Sequence, residues 1–549
     1  MVNDRPPSDC DVIVIGAGAA GGIVAAVLAE AGKSVLLLER GGKNDPTATT
    51  GRDHLRNQRL SAYGVNAGPD VADHPRVAVL SDGRSLLVRP HEVGYQNNAA
   101  CLGGGTRVYG GMAWRFMPQD FRMASSYGVP DGSSLADWPI AYEDLEPFYQ
   151  RAEWEIGVAG ESGADRFAGP RKKPYPLPPV ASSPQRVVLE RGAKALGLNT
   201  FPAPMLINTI AYNGRPACGK CGMCVGFACP TDGKNGTQNT MIPRALATGR
   251  CTLVTGAMAQ KIHTDPQGRA TFVSFFIGDQ LHTCAARAVV CSAGAIESAR
   301  LLFNSATDRN PHGLGNDFDQ VGRNLQGHVY TGALGVMADP VYDGVGPGVV
   351  IATTQFNHHN PGIVGGGLLA NDFIKLPIIF VKWAMPPGQR RWGLSAKQYI
   401  RENYRRTIHL AGPIHDIPSP EARVTVDAFV RDRWQIPVAR VSGTTHPESI
   451  RAADFLRRKA EQWLFASGAK NIWSYPPRLT LSAGQHQAGT CRMGIDPRSS
   501  VTDPWGRVHG HENLFVMDAS VHVTNGGFNP VLTIMALAFR SASRLAESM

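Results

Sequence analysis

The fold is decided by one stretch near the start of the chain, residues 11–32, which reads DVIVIGAGAAGGIVAAVLAEAG. Four β-branched residues come first, then a glycine-rich turn, then a long apolar run that is typical of a buried helix. Gly16, Gly18 and Gly21 have the G-x-G-x-x-G spacing. In a strand–turn–helix unit, this spacing allows a tight turn, close approach of a pyrophosphate to the backbone, and close packing of the helix on the strand.

A second apolar segment follows this unit and ends in an acidic residue. Ser34-Val-Leu-Leu-Leu-Glu39 places a carboxylate about 20 residues after the glycine turn, where it can accept hydrogen bonds from the hydroxyls of a ribose. The strand, turn, helix, second strand and Glu39 together predict a dinucleotide-binding site. The segment Arg40-Gly-Gly that follows is more typical of an FAD site, but these residues alone do not separate FAD from NAD.

The composition excludes several other classes of protein. The chain has 549 residues, 43% of them apolar and 18% charged, so it can bury a large core as three or four structural units or as one interleaved fold. Its 61 glycines and 39 prolines indicate many turns but not a low-complexity sequence. The net charge of +10 comes from basic residues spread along the chain, so we do not expect a nucleic-acid-binding protein.

Neither a membrane span nor a secretory signal is expected. The most apolar region, residues 363–385, is interrupted by Asn371, Asp372, Lys375 and Lys382. The first residues do not show a basic segment followed by an apolar one. We therefore expect a cytoplasmic protein whose ten cysteines are thiols or ligands rather than disulfides.

Four further segments resemble the signatures of the glucose–methanol–choline (GMC) family of FAD oxidoreductases. They occur in the order that the family requires and, with residues 11–32, extend over nearly the whole chain. They are CLGGGTRVYGGMAW at 101–114, SAGAIESARLL at 292–302, VGRNLQGH at 321–328, and a C-terminal run containing HQAGTCRMG at 486–494, NLFVMDAS at 513–520 and GFNPVLTI at 527–534.

The resemblance implies an α/β fold with two parts. One is a Rossmann-like FAD-binding domain assembled from residues 8–150, 215–330 and 480–549. The other is an inserted substrate-binding domain with an antiparallel sheet, formed by residues 151–214 and 331–479. Alternating apolar residues at 423–426 and 437–441 predict strands of that sheet, and the apolar spacing at 448–466 predicts a helix.

FAD is the cofactor that this resemblance implies. The loop at 103–114 contains no histidine that could form a covalent link to the flavin, so non-covalent binding is expected. Val254 is expected to contact adenine through its backbone, and Asn98 is a further candidate for a contact with the flavin. The other residues expected to contact FAD are Gly16, Gly18, Gly21, Glu39, Gly103, Gly104, Thr106, Gly110, Asp518 and Asn529.

The resemblance also implies two catalytic residues. His486 matches the family's catalytic histidine, and Asn529 matches the His/Asn position before a proline. Oxidation of an alcohol by a flavin requires a base for the hydroxyl proton and a group that orients the carbinol C–H. A neutral imidazole suits the first task. We therefore expect His486 to be the general base and Asn529 to anchor the substrate oxygen, whereas His522 is expected to be structural.

A cluster of four cysteines is the least common feature of the sequence. Cys218, Cys221, Cys224 and Cys229 have the spacing C-x2-C-x2-C-x4-C and are followed by proline, which is one residue longer at the last gap than a bacterial ferredoxin run. An iron–sulfur cluster, a structural zinc ion and a loop of buried or locally paired thiols are all compatible with this pattern.

The predicted function is FAD-dependent oxidation of a CH–OH group. Residues 137–149 and 113–116 look most like the flavin subunits of bacterial sugar dehydrogenases, so a sugar or sugar derivative such as a glycoside is the expected substrate. Dehydrogenase and oxidase activity remain open, with oxygen, a quinone or a redox protein as the acceptor. The alternatives are an enzyme similar to sterol or long-chain alcohol oxidases, a non-redox lyase, and an electron-transfer subunit.

Overall fold

The structure, a computed structural model, describes residues 6–41, 68–70, 72–90, 92, 94–96, 98–372, 376–482 and 484–549. Its strands are β1 (Asp9–Ile15), β2 (Val35–Glu39), β3 (Arg76–Val79), β4 (Ser85–Val88), β5 (Cys251–Thr255), β6 (Ala257–Thr264), β7 (Ala270–Ile277), β8 (Gln280–Cys291), β9 (Gln326–His328), β10 (Tyr330–Val336), β11 (Ala352–Thr353), β12 (Leu369–Asn371), β13 (Thr407–Pro413), β14 (Arg423–Arg431), β15 (Pro437–Ser442), β16 (Asn471–Ser474), β17 (Gln485–Ala488) and β18 (Leu514–Val516).

The α-helices connect and cover these strands. They are α1 (Ala19–Glu30), α2 (Gly105–Val108), α3 (Met123–Tyr127), α4 (Tyr142–Ala152), α5 (Pro184–Ala195), α6 (Met241–Ala247), α7 (Ala295–Asn304), α8 (Pro377–Ile379), α9 (Gly393–Asn403), α10 (Pro447–Ala466) and α11 (Val531–Ser548). Short 3-10 helices occur at Pro118–Arg122, Thr237–Asn239, Tyr404–Arg406 and Ala519–Val521, and π-helical turns occur at Glu153–Gly157 and Phe380–Ala384.

The first sheet contains the predicted dinucleotide unit. Its strand order is β5-β2-β1-β8-β7-β6, and β18 lies parallel to β8. β5, β2, β1 and the second half of β8 are parallel to one another. Every residue of β2 is buried because a parallel sheet is covered on both faces. The glycine turn directly follows β1 and so lies at the carboxyl edge of the sheet, and helix α1 packs against α6 and α11.

A second sheet is antiparallel and contains residues far from the N-terminal unit. Its strand order is β11-β12-β13-β10-β16. Helix α10, where the sequence predicts a helix at 448–466, packs on β10 and against α5. The predicted α/β class, with a Rossmann-like unit and a separate antiparallel sheet, is therefore confirmed.

The strands predicted at 423–426 and 437–441 form, but they are not part of this five-stranded sheet. β14 and β15 belong to a four-stranded sheet of order β14-β15-β3-β4, in which Arg440 of β15 lies beside Val77 of β3 in parallel register. The predicted sheet membership was wrong because alternation of apolar residues indicates a strand but not its partner. The division of the chain into two domains stays a prediction.

No α-helix in the described part of the chain combines the length and the apolar character that a membrane span requires. The largest apolar core extends through both the first sheet and the five-stranded sheet. A cavity of about 640 Å³ opens where these two sheets meet. The loops at the carboxyl edge of the first sheet form one end of this cavity, and β10 and β13 contribute to the other.

Candidate active site

The glycine turn after β1 forms one wall of the cavity. Gly16 has a φ of +105°, and a Cβ atom there would lie 2.4 Å from the backbone oxygen of Ser292. A Cβ atom on Gly21 would lie 1.8 Å from the backbone oxygen of Gly16. By contrast, a Cβ atom on Gly18 would have no neighbour within 4 Å, because Gly18 faces the cavity at the start of α1. The open position therefore lies at the helix N-terminus, where an anionic group is stabilised.

Glu39 lies at the end of β2 and lines the cavity. One carboxylate oxygen accepts a hydrogen bond from the Ala17 N–H at 3.0 Å, and the other accepts one from the Gly41 N–H at 2.8 Å. Burial raises the pKa of Glu39, and the two backbone donors oppose that increase. Each oxygen accepts only one of these bonds, so the carboxylate can still accept hydrogen bonds from a ribose.

The glycine-rich loop crosses in front of this turn. Gly104 has a φ of +53°, and a Cβ atom there would lie 3.0 Å from the Cα atom of Gly18. The Thr106 hydroxyl donates to the Gly103 carbonyl at 2.6 Å and so stabilises the loop. Gly104, Thr106, Gly110 and Asn98 line the cavity, whereas Gly103 packs on Gln238 behind it.

Two residues predicted to contact FAD, Asp518 and Val254, are in positions that restrict a direct contact between their side chains and a ligand in the cavity. The Asp518 carboxylate lines the cavity, but it accepts hydrogen bonds from the Gly294 N–H at 2.9 Å, from the Ser298 hydroxyl at 2.6 Å, and from both the N–H and the hydroxyl of Ser520. Its four acceptor positions are thus used, two by the start of α7 and two by the 3-10 helix Ala519–Val521. Val254 lies on β5 beside Leu38 and is buried next to the cavity-lining strand end.

His486 lines the other part of the cavity and pairs with a second histidine. The Nδ1 atoms of His486 and His328 are 2.9 Å apart. The Nε2 atom of His328 lies 2.9 Å from the Gly526 carbonyl oxygen and 3.2 Å from the Asn525 carbonyl oxygen. Because a carbonyl only accepts, His328 carries its proton on Nε2.

The tautomer of His486 follows from this pairing. Burial lowers the pKa of His328 to about 4, so its ring is neutral at pH 7 and its Nδ1 atom accepts. Nδ1 of His486 must therefore be the donor. Burial, with a further contribution from the adjacent His328, also holds the pKa of His486 well below its usual value. The Nε2 atom of His486 is thus an unprotonated acceptor on a ring that lines the cavity.

The backbone of His486 is itself in a restrained conformation. Its φ is +61°, which is rare for a residue other than glycine. The Asn525 side chain donates to the His486 carbonyl at 2.6 Å and to the Gly327 carbonyl at 3.3 Å. The loop at 525–529 therefore fixes both the backbone of His486 and, through its carbonyls, the ring of His328.

Asn529 lies close to His486 and is connected to it by a tyrosine. The Asn529 amide donates to the Tyr330 hydroxyl at 2.7 Å, and the Tyr330 ring lies 5.9 Å from the His486 ring, measured between centroids. The side-chain oxygen of Asn529 is buried and has no hydrogen-bond partner among the described residues. All three side chains line the cavity, so the structure brings the two predicted catalytic residues to one place.

The part of the cavity beyond these residues is polar and aromatic. Asp372 and His409 are joined by a contact of 2.9 Å between Oδ2 and Nδ1, and the Trp383 ring lies 5.1 Å from the His409 ring. Tyr475 and Gln485 also line this region, which lies against β10 and β13. Hydrogen-bonding groups and exposed aromatic faces in one cavity suit a ligand that carries several hydroxyls.

The four cysteines of the sequence cluster surround a separate, small cavity together with Lys234. Lys234 donates to the Tyr109 and Phe227 carbonyls, each at 2.9 Å, and burial lowers its pKa to about 8. The Gly226 N–H donates to the Val108 carbonyl at 2.7 Å, so this loop packs on the glycine-rich loop. Among the described residues, no three of these cysteine sulfur atoms lie within 4.8 Å of one another. A group of three possible metal ligands that close together does occur elsewhere in the structure.

Sequence reasoning missed His328 and Tyr330 as members of the site. His328 ends the segment VGRNLQGH, so its position near a family signature was a usable signal, but its partner His486 is 158 residues away. His522 is fully buried against the rings of Phe116 and Trp138, and it lies outside the cavity lining. Its burial agrees with the structural role expected for it.

Comparison with known proteins identifies the family. Models of the GMC oxidoreductase family match residues 11–330 and residues 418–538. The chain is a GMC oxidoreductase. Members of this family bind FAD.

Two similar proteins are named for the compounds that they oxidise, fructose and paromamine. This GMC oxidoreductase is 29% identical to the fructose dehydrogenase large subunit of Gluconobacter japonicus, over 98% of each chain. It is 30% identical to paromamine 6'-oxidase of Streptomyces fradiae, over 98% of this chain and 92% of the relative. Relatives of this kind are named as dehydrogenases in some cases and as oxidases in others.

Solved structures of lower identity share the fold. Pyridoxine 4-oxidase from Mesorbium loti matches with a TM-score of 0.62 and 18% identity, covering 98% of this chain and 99% of that one. A formate oxidase variant of Aspergillus oryzae, studied for modification of its FAD, matches with a TM-score of 0.66 and 16% identity, covering 99% of both chains. The predicted GMC fold is thereby confirmed.

The cavity has features that fit FAD. The open position at Gly18 and the N-terminus of α1 suit a pyrophosphate, and the unused acceptor positions of Glu39 suit a ribose. The cavity then continues past Gly110 to His486 and Asn529, so a long cofactor and a substrate can share it.

Proposed function

We propose that this GMC oxidoreductase oxidises a CH–OH group of a sugar or sugar derivative to a carbonyl. The observation that carries the proposal is the His328–His486 pair, which leaves Nε2 of His486 unprotonated in the cavity beside Asn529. A base that is already neutral can take the hydroxyl proton at pH 7 without first losing one of its own.

Oxidation removes a proton and a hydride from the alcohol, and the two leave in different directions. Bound FAD supplies the two-electron acceptor that takes the hydride. The proton of the hydroxyl goes to Nε2 of His486. Asn529 holds the alcohol oxygen by hydrogen bonding, while Tyr330 fixes the orientation of the amide through its contact of 2.7 Å.

Proton transfer from the substrate gives His486 a positive charge, and the contact with His328 keeps that charge on the His486 ring. After proton transfer His486 is an imidazolium, and its Nδ1–H continues to donate to the neutral His328. His328 in turn keeps its own proton on Nε2, which donates to the Gly526 carbonyl at 2.9 Å. The imidazolium therefore keeps its hydrogen-bond acceptor, and no second proton has to move.

The lining of the cavity favours a sugar over the alternative, a sterol or long-chain alcohol. Asp372 and His409 offer charged or polar hydrogen-bonding atoms, and Trp383 and Tyr475 offer aromatic faces. A long apolar substrate would shield these polar groups from water and offer them no hydrogen bond in return, which costs free energy. Sugar hydroxyls would offer such bonds in addition to the Asp372–His409 contact.

Replacement of the base tests the proposal. In His486→Ala, we expect bound FAD to be reduced by substrate roughly 10²-fold more slowly or worse, because no other group at that position takes the proton. The measurement is anaerobic stopped-flow bleaching of the flavin absorbance with a panel of sugars, glycosides and polyols. His312→Ala, which removes an exposed histidine outside the cavity, is the matched control and should reduce normally. Near-normal reduction in His486→Ala would contradict the assignment.

Several finer features of this function stay predictions. The electron acceptor is open between oxygen, a quinone and a redox protein, and turnover with air compared with turnover with a dye separates the two enzyme types. An iron–sulfur cluster at Cys218, Cys221, Cys224 and Cys229 would give electrons a route out, and iron content with the visible spectrum tests it. A cytoplasmic location also stays a prediction.

A further inference from the structure

A second group of titratable side chains lies behind the loop that carries Asn529. Asp120 comes from the 3-10 helix Pro118–Arg122, His358 from the loop after β11, and His415 from the residues after β13. All three are buried, and one ligand atom from each lies within 4.8 Å of the other two. The proposed oxidation of an alcohol uses none of them.

The outer atom of each side chain is held by another group. Oδ2 of Asp120 accepts from the Met117 N–H at 2.6 Å. Nδ1 of His358 contacts the Tyr127 hydroxyl at 2.9 Å, and Nδ1 of His415 lies 3.0 Å from the Gly366 carbonyl oxygen. The inner atoms, Oδ1 of the carboxylate and Nε2 of each imidazole, therefore point at one another.

The inner atoms are not fully satisfied by one another. Nε2 of His415 lies 2.5 Å from Oδ1 of Asp120 and forms a hydrogen bond with it. Nε2 of His358 lies 3.3 Å from the same oxygen, yet it is buried without a hydrogen bond. One carboxylate oxygen thus faces two imidazole nitrogens, and one of those nitrogens has no hydrogen-bond partner among the described residues.

We propose that Asp120, His358 and His415 bind a divalent transition-metal ion of the zinc type. Two imidazoles and a carboxylate are a common donor set for zinc. Metal-binding histidines usually donate their other ring N–H to a carbonyl or a similar group, as the Gly366 carbonyl and the Tyr127 hydroxyl permit here.

Of the three separations between ligand atoms, one already matches zinc binding, one has to widen, and the third, between the two imidazole nitrogens, is no more than 4.8 Å. Two ligands of a tetrahedral zinc ion, each about 2.0–2.1 Å from the metal, lie about 3.3 Å apart. The separation of His358 from Asp120 already has this value. The separation of His415 from Asp120, at 2.5 Å, has to widen as the ion replaces the proton between them.

A metal here would fix the loop that holds Asn529. The Thr524 hydroxyl donates to the Asp120 carbonyl at 3.1 Å, and a Cβ atom on Gly527 would lie 3.1 Å from Cε1 of His415. The three ligands come from separated parts of the chain, so one ion would join those parts directly behind the active-site loop. With three protein ligands, a water molecule would take the fourth position, and the ion would act by holding the loop that carries Asn529.

Metal analysis of the purified, FAD-containing enzyme tests the proposal. After expression in zinc-supplemented medium and dialysis, we expect close to one zinc ion per chain by inductively coupled plasma mass spectrometry. Asp120→Asn and His358→Gln should each retain less than about one tenth of that. His359→Asn, which changes the exposed neighbouring histidine, is the matched control and should retain it.

A further variant separates this site from the cysteine loop. Cys221→Ser should leave the zinc content unchanged, because Cys221 is not a ligand of the proposed site. Loss of zinc in Cys221→Ser together with its retention in Asp120→Asn would overturn the proposal, since the metal would then belong to the cysteines.

The wild-type enzyme alone decides the question if the variants do not fold. Removal of metal with 1,10-phenanthroline should lower the melting temperature by several degrees, and stoichiometric Zn²⁺ should restore it. Co²⁺ added in place of Zn²⁺ should give the visible absorption of a tetrahedral site, after subtraction of the flavin spectrum. Wild-type enzyme with no bound metal, and no change in melting temperature on addition of Zn²⁺, would overturn the proposal and leave a hydrogen-bonded group only.

Discussion

The two ends of the active-site cavity differ in whether backbone or side chains form their surface. The end that fits the cofactor is made mainly of backbone, with Gly16, Gly18 and the N-terminus of α1 in one continuous turn. The end that fits the substrate is made of side chains, with His486 and Asn529 brought together across a loop. The cofactor end requires positions without a side chain, whereas the substrate end requires particular side chains.

This difference explains how each end tolerates change. Where backbone packs closely on backbone, an added side-chain atom is destabilising, because the neighbouring backbone cannot move aside without a large cost in free energy. A side-chain constellation can lose one member and keep its shape, so its loss appears in the chemistry rather than in the fold. The predictions below test this contrast from the larger effect to the smaller.

The largest effect is expected from a single methyl group at the cofactor end. In Gly21→Ala, the new Cβ atom would lie 1.8 Å from the Gly16 backbone oxygen, so the strand and the helix must separate. We expect a loss of about 3 kcal/mol or more in the free energy of unfolding, or failure to fold. Urea denaturation measures it.

Gly18→Ala sharpens this prediction. Its Cβ atom would meet nothing within 4 Å, so the melting temperature should stay within about 2 °C of the wild type. The methyl group enters the cavity where we place the pyrophosphate, so bound FAD per chain should fall. Equal destabilisation by both substitutions, or normal FAD content in Gly18→Ala, would contradict the division into packing and binding glycines.

The cofactor end could be predicted from the sequence because its parts are adjacent in the chain. The glycine spacing and the strand that ends at Glu39 were readable within residues 11–39. At the other end, Asn529 contacts Tyr330 across 199 residues, and no local pattern indicates such a partner. The pairing of β14 and β15 with β3 and β4 was missed for the same reason, since a strand pattern does not name its neighbour.

The second prediction, with a smaller expected effect, concerns the His328–His486 pair at the substrate end. His328→Leu removes the acceptor that fixes the His486 tautomer, so the proton can occupy Nε2, where it blocks the base. We expect flavin reduction to slow by roughly 10–10²-fold, with FAD content unchanged. His328→Asn, whose amide offers both an acceptor and a donor, should recover most of that loss.

The comparison of these two variants distinguishes positioning from packing. If His328 only fills space, Leu and Asn should have similar effects, or Leu should be the milder change because it is apolar in a buried position. A rate order in which Asn is faster than Leu, at equal FAD content and equal melting temperature, requires the hydrogen bond. The opposite order would mean that the His486 tautomer is set by another group.

The smallest effect is expected from acidification of the wild-type enzyme, and it reports on the same pair. A histidine base of ordinary pKa, near 6.5, would lose about fourfold in its unprotonated fraction between pH 7.5 and pH 6.0. Burial and the adjacent His328 hold the pKa of His486 well below that value, so the ring stays neutral over this range and kcat/KM should change less than about twofold. Activity should fall only when the pH drops through the lowered pKa, because protonation of His486 then leaves no nitrogen to take the hydroxyl proton.

The pH profile of kcat/KM is measured with saturating electron acceptor. Melting temperatures over the same pH range distinguish protonation of the base from unfolding. A decline centred near pH 6.5 would mean that the base is solvated or is not His486, and it would remove the argument that the His328 contact keeps it neutral.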